Sequence, residues 1–247
     1  MKLKKLYISA AAFMLLTSCG VPEPLFKFEN YHYNNDNKRP LEVEYSFVTI
    51  SNASRSEALT AIEESLRYEF FELDGELPSS LNRTFEMGVA QFRDESGYDS
   101  NTQPTGCELK VSAEAKVIGN TLAYTIEGYK FSGGAHGLSW RTGLNYDIES
   151  GEQLALHNFI SDEQMEALPT ILRKTLCEDR GIYNENYHDA LTALGYFPND
   201  ILPTENFRIT NDGIEFLYNP YEIGVYAVGM TIIKVPFRIL NEITSVE

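Results

Sequence analysis

Ser132 and His136 have the side-chain chemistry of a nucleophile and its base, and they stand within one glycine-framed stretch, YKFSGGAHG, Tyr129 to Gly137. A serine attacks a carbonyl only when an imidazole takes its proton and a third group orients that imidazole, and these partners normally come from separate parts of a chain. Two residues so close in one loop do not assemble such a triad, and no GxSxG, HExxH or phosphate-binding loop accompanies them. The stretch reads better as a presenting loop. Gly133, Gly134 and Gly137 allow positive φ and close backbone approach, so the chain can turn tightly while holding Ser132 and His136 outside the sheet. The competing reading is a structural crossover whose histidine bonds locally. A second loop, YNPYEIGVYAVG from Tyr218 to Gly229, has a strand-like run on either side. These two loops are the candidate functional elements.

Other residues capable of chemistry are sparse. His32, His157 and His188 show no ligand spacing, and no CxxC or Cys/His pattern occurs, so neither a metal nor a cofactor is expected. Glu63, Glu64, Glu69 and Glu72 resemble paired carboxylates but fall on or near the solvated side of a helical pattern. The chain reads as a non-enzyme. Cys107 and Cys177 could close a loop of about seventy residues in an oxidising compartment, adding on the order of 4 kcal/mol, or remain thiols.

With 247 residues and 43% hydrophobic content the chain is long enough for one large or two modest domains, and 12% aromatic residues favour β-rich structure. The formal net charge of −16 argues against nucleic acid and anionic lipid headgroups as partners and suits a basic protein. Acidity also simply keeps an exported protein soluble. MKLKKLYISAAAFMLLTSC has a lysine-rich start and a short apolar run, the pattern of an export signal. Its Leu16-Thr17-Ser18-Cys19 resembles a bacterial lipobox. The expectation is a signal peptide over 1–18, with Cys19 lipidated and anchoring the chain to the envelope, most simply at the outer membrane or facing the periplasm. Loss of the three lysines would take the charge from −16 to −19.

The elements that must position the loops follow in order. Residues 19–40 are polar and read as a tether. From Leu41, apolar residues alternate with Glu42, Glu44 and Ser46 as in a half-buried strand. Ser54 and Glu57 have the form of a capping box ahead of a helix over about 55–72, and Leu81, Phe85, Val89 and Phe92 mark a second helix. Strands are expected over 109–117 and 122–131 about a Gly119-Asn120 turn, over 138–148, and briefly over 153–156. Ser161 and Gln164 form a capping box with Ile160 placed to staple on Met165. Pro169 then splits the helical pattern into a short first helix and a second to Arg180. A short helix over 186–197 and a hairpin about Asn211-Asp212-Gly213 precede a closing strand from Thr231 to Leu240. The fold class is α+β, an antiparallel sheet with helices packed against it, in two subdomains, 41–118 and 119–247.

GYKFSGGAHG, the YDIESGEQLAL continuation with Asn158-Phe159, and FRITNDGIEFLYNPYEIGVYAVG with IIKVPF together resemble the extracytoplasmic domain family of the anti-sigma-V factor RsiV. This family of otherwise unknown function also accompanies some peptidoglycan deacetylases. The resemblance covers about 120–240, and 41–117 is more weakly similar to the companion domain that precedes it. It implies a non-catalytic binding module for C-type lysozyme or a peptidoglycan-related ligand, the alternatives being a structural envelope lipoprotein of no ligand and, after it, a peptidoglycan-modifying enzyme. The contact residues it implies are Asn219, Pro220, Tyr221, Glu222, Ile223 and Tyr226, beside the loop residues Ser132 and His136. Gly224-Val225 departs from the alanine and proline frequent in the family, and a lipid anchor replaces the sensor's membrane-spanning helix.

Overall fold

The computed structural model describes residues 20–73, 75–99, 105–183 and 186–243. The expected lipidation at Cys19 and the export signal lie outside these residues. Among the described residues no helix is long and apolar enough to cross a membrane.

Five strands form one sheet in chain order: β1 (Phe26–Asn34), β2 (Leu41–Ile50), β3 (Cys107–Ile118), β4 (Thr121–Phe131) and β5 (Leu138–Asp147). Neighbours pair antiparallel except β2 with β3, which run parallel. A parallel pair needs a long crossover. Here α1 (Glu57–Phe71) and α2 (Leu81–Glu95) supply it and cover the inner face. Leu59, Ile62 and Leu66 on α1 are fully buried against Leu41, Val43 and Phe47 of β2 and its neighbours. The tether reading therefore fails over 26–34. Tyr31 and Tyr33 alternate toward the core, Tyr31 stacks on Phe85 at 4.8 Å, and the strand pairs residue for residue with β2. Asn30 and Asn34 lie on strand positions rather than in a loose linker.

The expected cap of α1 shifts by two residues. Residues 53–55 make a short 3-10 turn, Ser56 occupies the N-cap without a side-chain bond, and the Thr60 hydroxyl ties back to the Ala53 and Ser56 carbonyls at 3.0 Å. Glu63 is half-buried rather than fully solvated. Its carboxylate accepts from the Thr49 hydroxyl at 2.6 Å and the Ile50 amide at 2.7 Å, joining α1 to β2. Burial holds its pKa above the usual carboxylate range, against the lowering effect of those two bonds.

The second layer is built on a separate three-stranded antiparallel sheet of β6 (Phe207–Ile209), β7 (Gly213–Tyr218) and β8 (Thr231–Pro236). It packs against α3 (Asp162–Asp179), with α4 (Tyr187–Ala193) and α5 (Phe237–Ile243) nearby. The Ser161/Gln164 capping box forms as expected, and Gln164 Nε2 also donates to Leu240 O at 2.9 Å, linking α3 to α5. Pro169 does not break α3. Leu168, Leu172 and Leu176 bury one continuous face, and that burial carries the helix past the missing donor. Residues 153–156 make only a single bridge, Gln153 to Tyr146, because the chain turns into a 3-10 segment at Leu156. The closing strand stops at Pro236 and continues as α5.

The expected division at 118/119 falls within the turn of the β3–β4 hairpin. One core draws on residues 41–148 and the other on 156–240, so β4 and β5 belong with the N-terminal layer. No disulfide joins Cys107 and Cys177: each is a buried thiol, Cys107 in the first core and Cys177 in the second. Burial raises both thiol pKa values, which suppresses thiolate chemistry at either.

Side-chain amides join the two layers. Asn206 accepts from Gly143 N at 2.9 Å and donates to Arg141 O at 2.9 Å, imitating a strand at the edge of β5. Buried Asn145 returns the same pair of bonds, donating to Phe207 O and accepting from Ile209 N, both at 3.0 Å. These bonds set where the 218–229 turn lies relative to the loop after β4.

Candidate binding face at the two loops

The two glycine-framed loops converge. The His136 and Tyr226 rings stack with centroids 4.2 Å apart and planes inclined by 28°, and Tyr221 lies 5.5 Å beyond Tyr226. Tyr226 Oη donates to Gly137 O at 2.8 Å, and His136 Nδ1 lies 3.1 Å from the same carbonyl. Glycine at 137 lets the Tyr129 ring lie against the backbone, since a Cβ there would sit 2.4 Å from that ring and displace it. Of the three loop glycines only Gly133, at φ 86°, uses the left-handed region.

The 218–229 turn is built to hold its tyrosines out. Asn219 N donates to Glu222 Oε2 at 2.8 Å and Glu222 N donates to Asn219 O at 3.1 Å, closing the turn on itself. Asn219 Oδ1 also accepts from Arg141 N at 2.7 Å, which fixes the turn to β5. Ile223 is buried in the second core, and its carbonyl accepts from Phe197 N at 2.8 Å. Pro220 is half-buried. Tyr221 has φ 76°, one of three non-glycine residues in the left-handed region among the described residues, and its side chain is 57% exposed. A bulky residue held in that conformation stores strain of about 1–3 kcal/mol, and such positions concentrate at functional sites. Tyr218, directly before the turn, is buried with Oη donating to Leu202 O at 2.6 Å, and burial, then the nearby Glu222, pushes its pKa up.

The eight residues expected at the site therefore divide. His136, Tyr221 and Tyr226 form an exposed aromatic face. Asn219 and Glu222 shape the turn, although the Glu222 side chain remains at the surface, and Pro220 lies among them. Ile223 is core rather than contact surface. Ser132 is exposed just past the end of β4, at the opposite end of its loop from His136. Tyr129, Gly137 and Arg141 were missed as supports. Only Tyr129 and Gly137 carried a signal, as the ends of the glycine-rich stretch, whereas Arg141 contributes through its backbone amide.

Beside this face runs a cavity of about 390 Å³ on the outer side of the five-stranded sheet, with Glu44, Lys110, Glu127, Tyr129, Ser139 and Met230 in its lining. Met230 and Val225 are also exposed near the turn. Arg141 and Glu127 pair across β4 and β5, and Arg208 binds Glu215 at 2.6 Å, so much of the adjoining charge is internally compensated. A second cavity of about 390 Å³ lies away from the loops, against α3 near Lys174, Cys177 and Tyr187. The arrangement offers stacking area, hydroxyls and a carboxylate. His136 has an aromatic ring, not a serine hydroxyl, as its stacking neighbour.

Residues 157–238 match a family described as "Protein of unknown function (DUF3298)". That range coincides with the second core and includes the 218–229 turn, but leaves out the loop carrying His136. The peptidoglycan-N-acetylmuramic acid deacetylase PdaC of Bacillus subtilis (strain 168) is 26% identical over 175 residues, covering 68% of this chain and 36% of that protein. The chain thus spans about a third of the length of that relative. A crystal structure of a DUF3298 family member from Bacteroides fragilis NCTC 9343 superposes with a TM-score of 0.74 at 24% identity, covering 90% of this chain and 94% of that one. A DUF3298 family protein from Pseudomonas aeruginosa PAO1 gives 0.64 at 19% identity over the same shares. The two structures share this α+β fold across both layers.

Proposed function

We propose that the chain is a lipid-anchored protein of the bacterial cell envelope that acts as a non-catalytic binding module, with His136, Tyr221 and Tyr226 as its contact face. The observation that carries this reading is Tyr221: a large exposed ring is held in a strained backbone conformation beside Tyr226, which in turn stacks on a histidine delivered by a different loop. Rigid tyrosines offer amphipathic area at low entropic cost, and they are enriched where binding energy concentrates. The ligand we propose is C-type lysozyme or another peptidoglycan-related ligand. The net charge of −16 and the exposed Glu222 suit a cationic partner, and the named activity of the Bacillus relative points to peptidoglycan as the setting.

The test is calorimetric titration of the protein with C-type lysozyme at low and moderate salt. Saturable binding that weakens with salt and is lost in Tyr221→Ala supports the reading. Absence of heat, together with unchanged lysozyme activity in the protein's presence, rejects lysozyme and turns the same titration to peptidoglycan fragments. If both ligands fail, the alternative is a structural envelope protein whose loops serve only the fold.

A further inference from the structure

Because 26–34 is a strand rather than a tether, His32 faces Glu44 directly across the β1–β2 pair, and Glu42 stands two residues along β2 on the same face. We propose that His32, Glu42 and Glu44 form a three-donor site for a divalent transition cation, with Zn²⁺ the best match. One ligand atom from each of the three lies within 4.8 Å of the others, and His32 Nε2 is 3.4 Å from Glu42 Oε1. Tetrahedral Zn²⁺ with bonds of about 2.0–2.2 Å needs donors about 3.4 Å apart, a closure that small side-chain rotations on a rigid strand pair provide. One imidazole and two carboxylates are a donor set suited to Zn²⁺.

Two features of the surroundings bear on occupancy. Lys110 pairs with Glu44 in the β2–β3 register and attracts both Glu44 and Glu42, but its ammonium is bound directly to Glu108 at 2.6 Å, so a cation at the site would compete only with that more distant attraction. Glu44 also lines the outer-face cavity of about 390 Å³, so the site opens onto the groove that ends beside Tyr129 and Met230. Three protein donors leave a coordination position for water or for a ligand in that groove. This site shares no residue with the proposed aromatic face and stands or falls separately from it. Its ligand spacing is invisible along the chain because only the cross-strand register assembles it.

The experiment is titration of the full chain with Zn²⁺, alongside His32→Ala, Glu44→Gln and, as a control remote from the cluster, His157→Ala. Thermal melts without metal establish that each variant is folded. The expected result is one equivalent bound below about 0.1 mM, weakened at least about tenfold by either His32→Ala or Glu44→Gln and unchanged by His157→Ala. Absence of saturable binding, or binding that survives either substitution at the cluster, overturns the proposal.

Discussion

The molecule uses aromatic rings twice, in opposite ways. In the first core Tyr45, Phe47, Phe70, Phe71 and Phe85 pack on one another at 4.8–5.9 Å, enclosed by α1, α2 and β2. At the loops His136, Tyr226 and Tyr221 stack in a short row with comparable spacings, yet the two tyrosines are 37% and 57% exposed. The core rings are held chiefly by one another's faces and edges. The loop rings are placed by hydrogen bonds and a strained backbone, at the surface. Similar residue types thus stabilise the fold in one place and remain available to a ligand in the other.

That contrast is open to direct attack, beginning with the largest effect. Phe70→Ala should lower stability by about 3–5 kcal/mol through lost burial and the cavity left behind, measured by urea unfolding. Tyr221→Ala should change stability by less than about 0.5 kcal/mol in the same assay. A substantial unfolding effect of Tyr221→Ala would make the exposed row a structural cluster after all. Next comes the junction that aligns the loops. Asn145→Ala would orphan Ile209 N and Phe207 O in a buried setting, at a cost of about 2 kcal/mol or more. A similar loss, about 1–3 kcal/mol, is expected of Gly143→Ala, whose Cβ would lie 2.3 Å from Phe207 O.

Smaller and more diagnostic is Tyr221→Gly. Release of the positive φ should raise stability by up to about 1 kcal/mol while ligand affinity falls, a stability gain opposed to function. A loss of stability would show that the Tyr221 ring is needed by the fold. The smallest effect concerns Glu63, whose folded-state pKa is raised by burial. Its contribution is fully present below the unfolded pKa and is lost as pH rises through the folded one. Comparison of wild type with Glu63→Gln by thermal melts should show the wild type relatively more stable near pH 4 than near pH 7, and the opposite slope would contradict the assignment.

Most of the fold was legible in the sequence where burial on one face sets a period. The α2 stripe from Leu81 to Phe92, the hairpin about Gly119-Asn120 and the Ser161/Gln164 cap all form as their local patterns imply. What escaped were features decided by partners distant in sequence. β1 looks like linker because Asn, Tyr and His alternate weakly, and only pairing with β2 makes it a strand. Pro169 reads as a break until the buried leucines around it outweigh one missing donor. The single sheet expected from the strands is two, since side-chain amides of Asn145 and Asn206 replace backbone pairing between β5 and β6. At the candidate face, glycine spacing drew attention to both loops, and the family resemblance of the Pro-Tyr-Glu-Ile turn drew attention to Tyr221. Periodicity could not reveal that Ile223 turns inward or that Gly137 O receives Tyr226 Oη.

The most direct test of the aromatic face is a map of backbone amide chemical shifts of the isotope-labelled protein as C-type lysozyme is added. Perturbations are expected to concentrate at 132–137 and 219–230, with His136, Tyr221 and Tyr226 among the largest, while α1 and α2 remain unmoved. Perturbations centred on those helices or on α3, with both loops silent, would contradict this assignment.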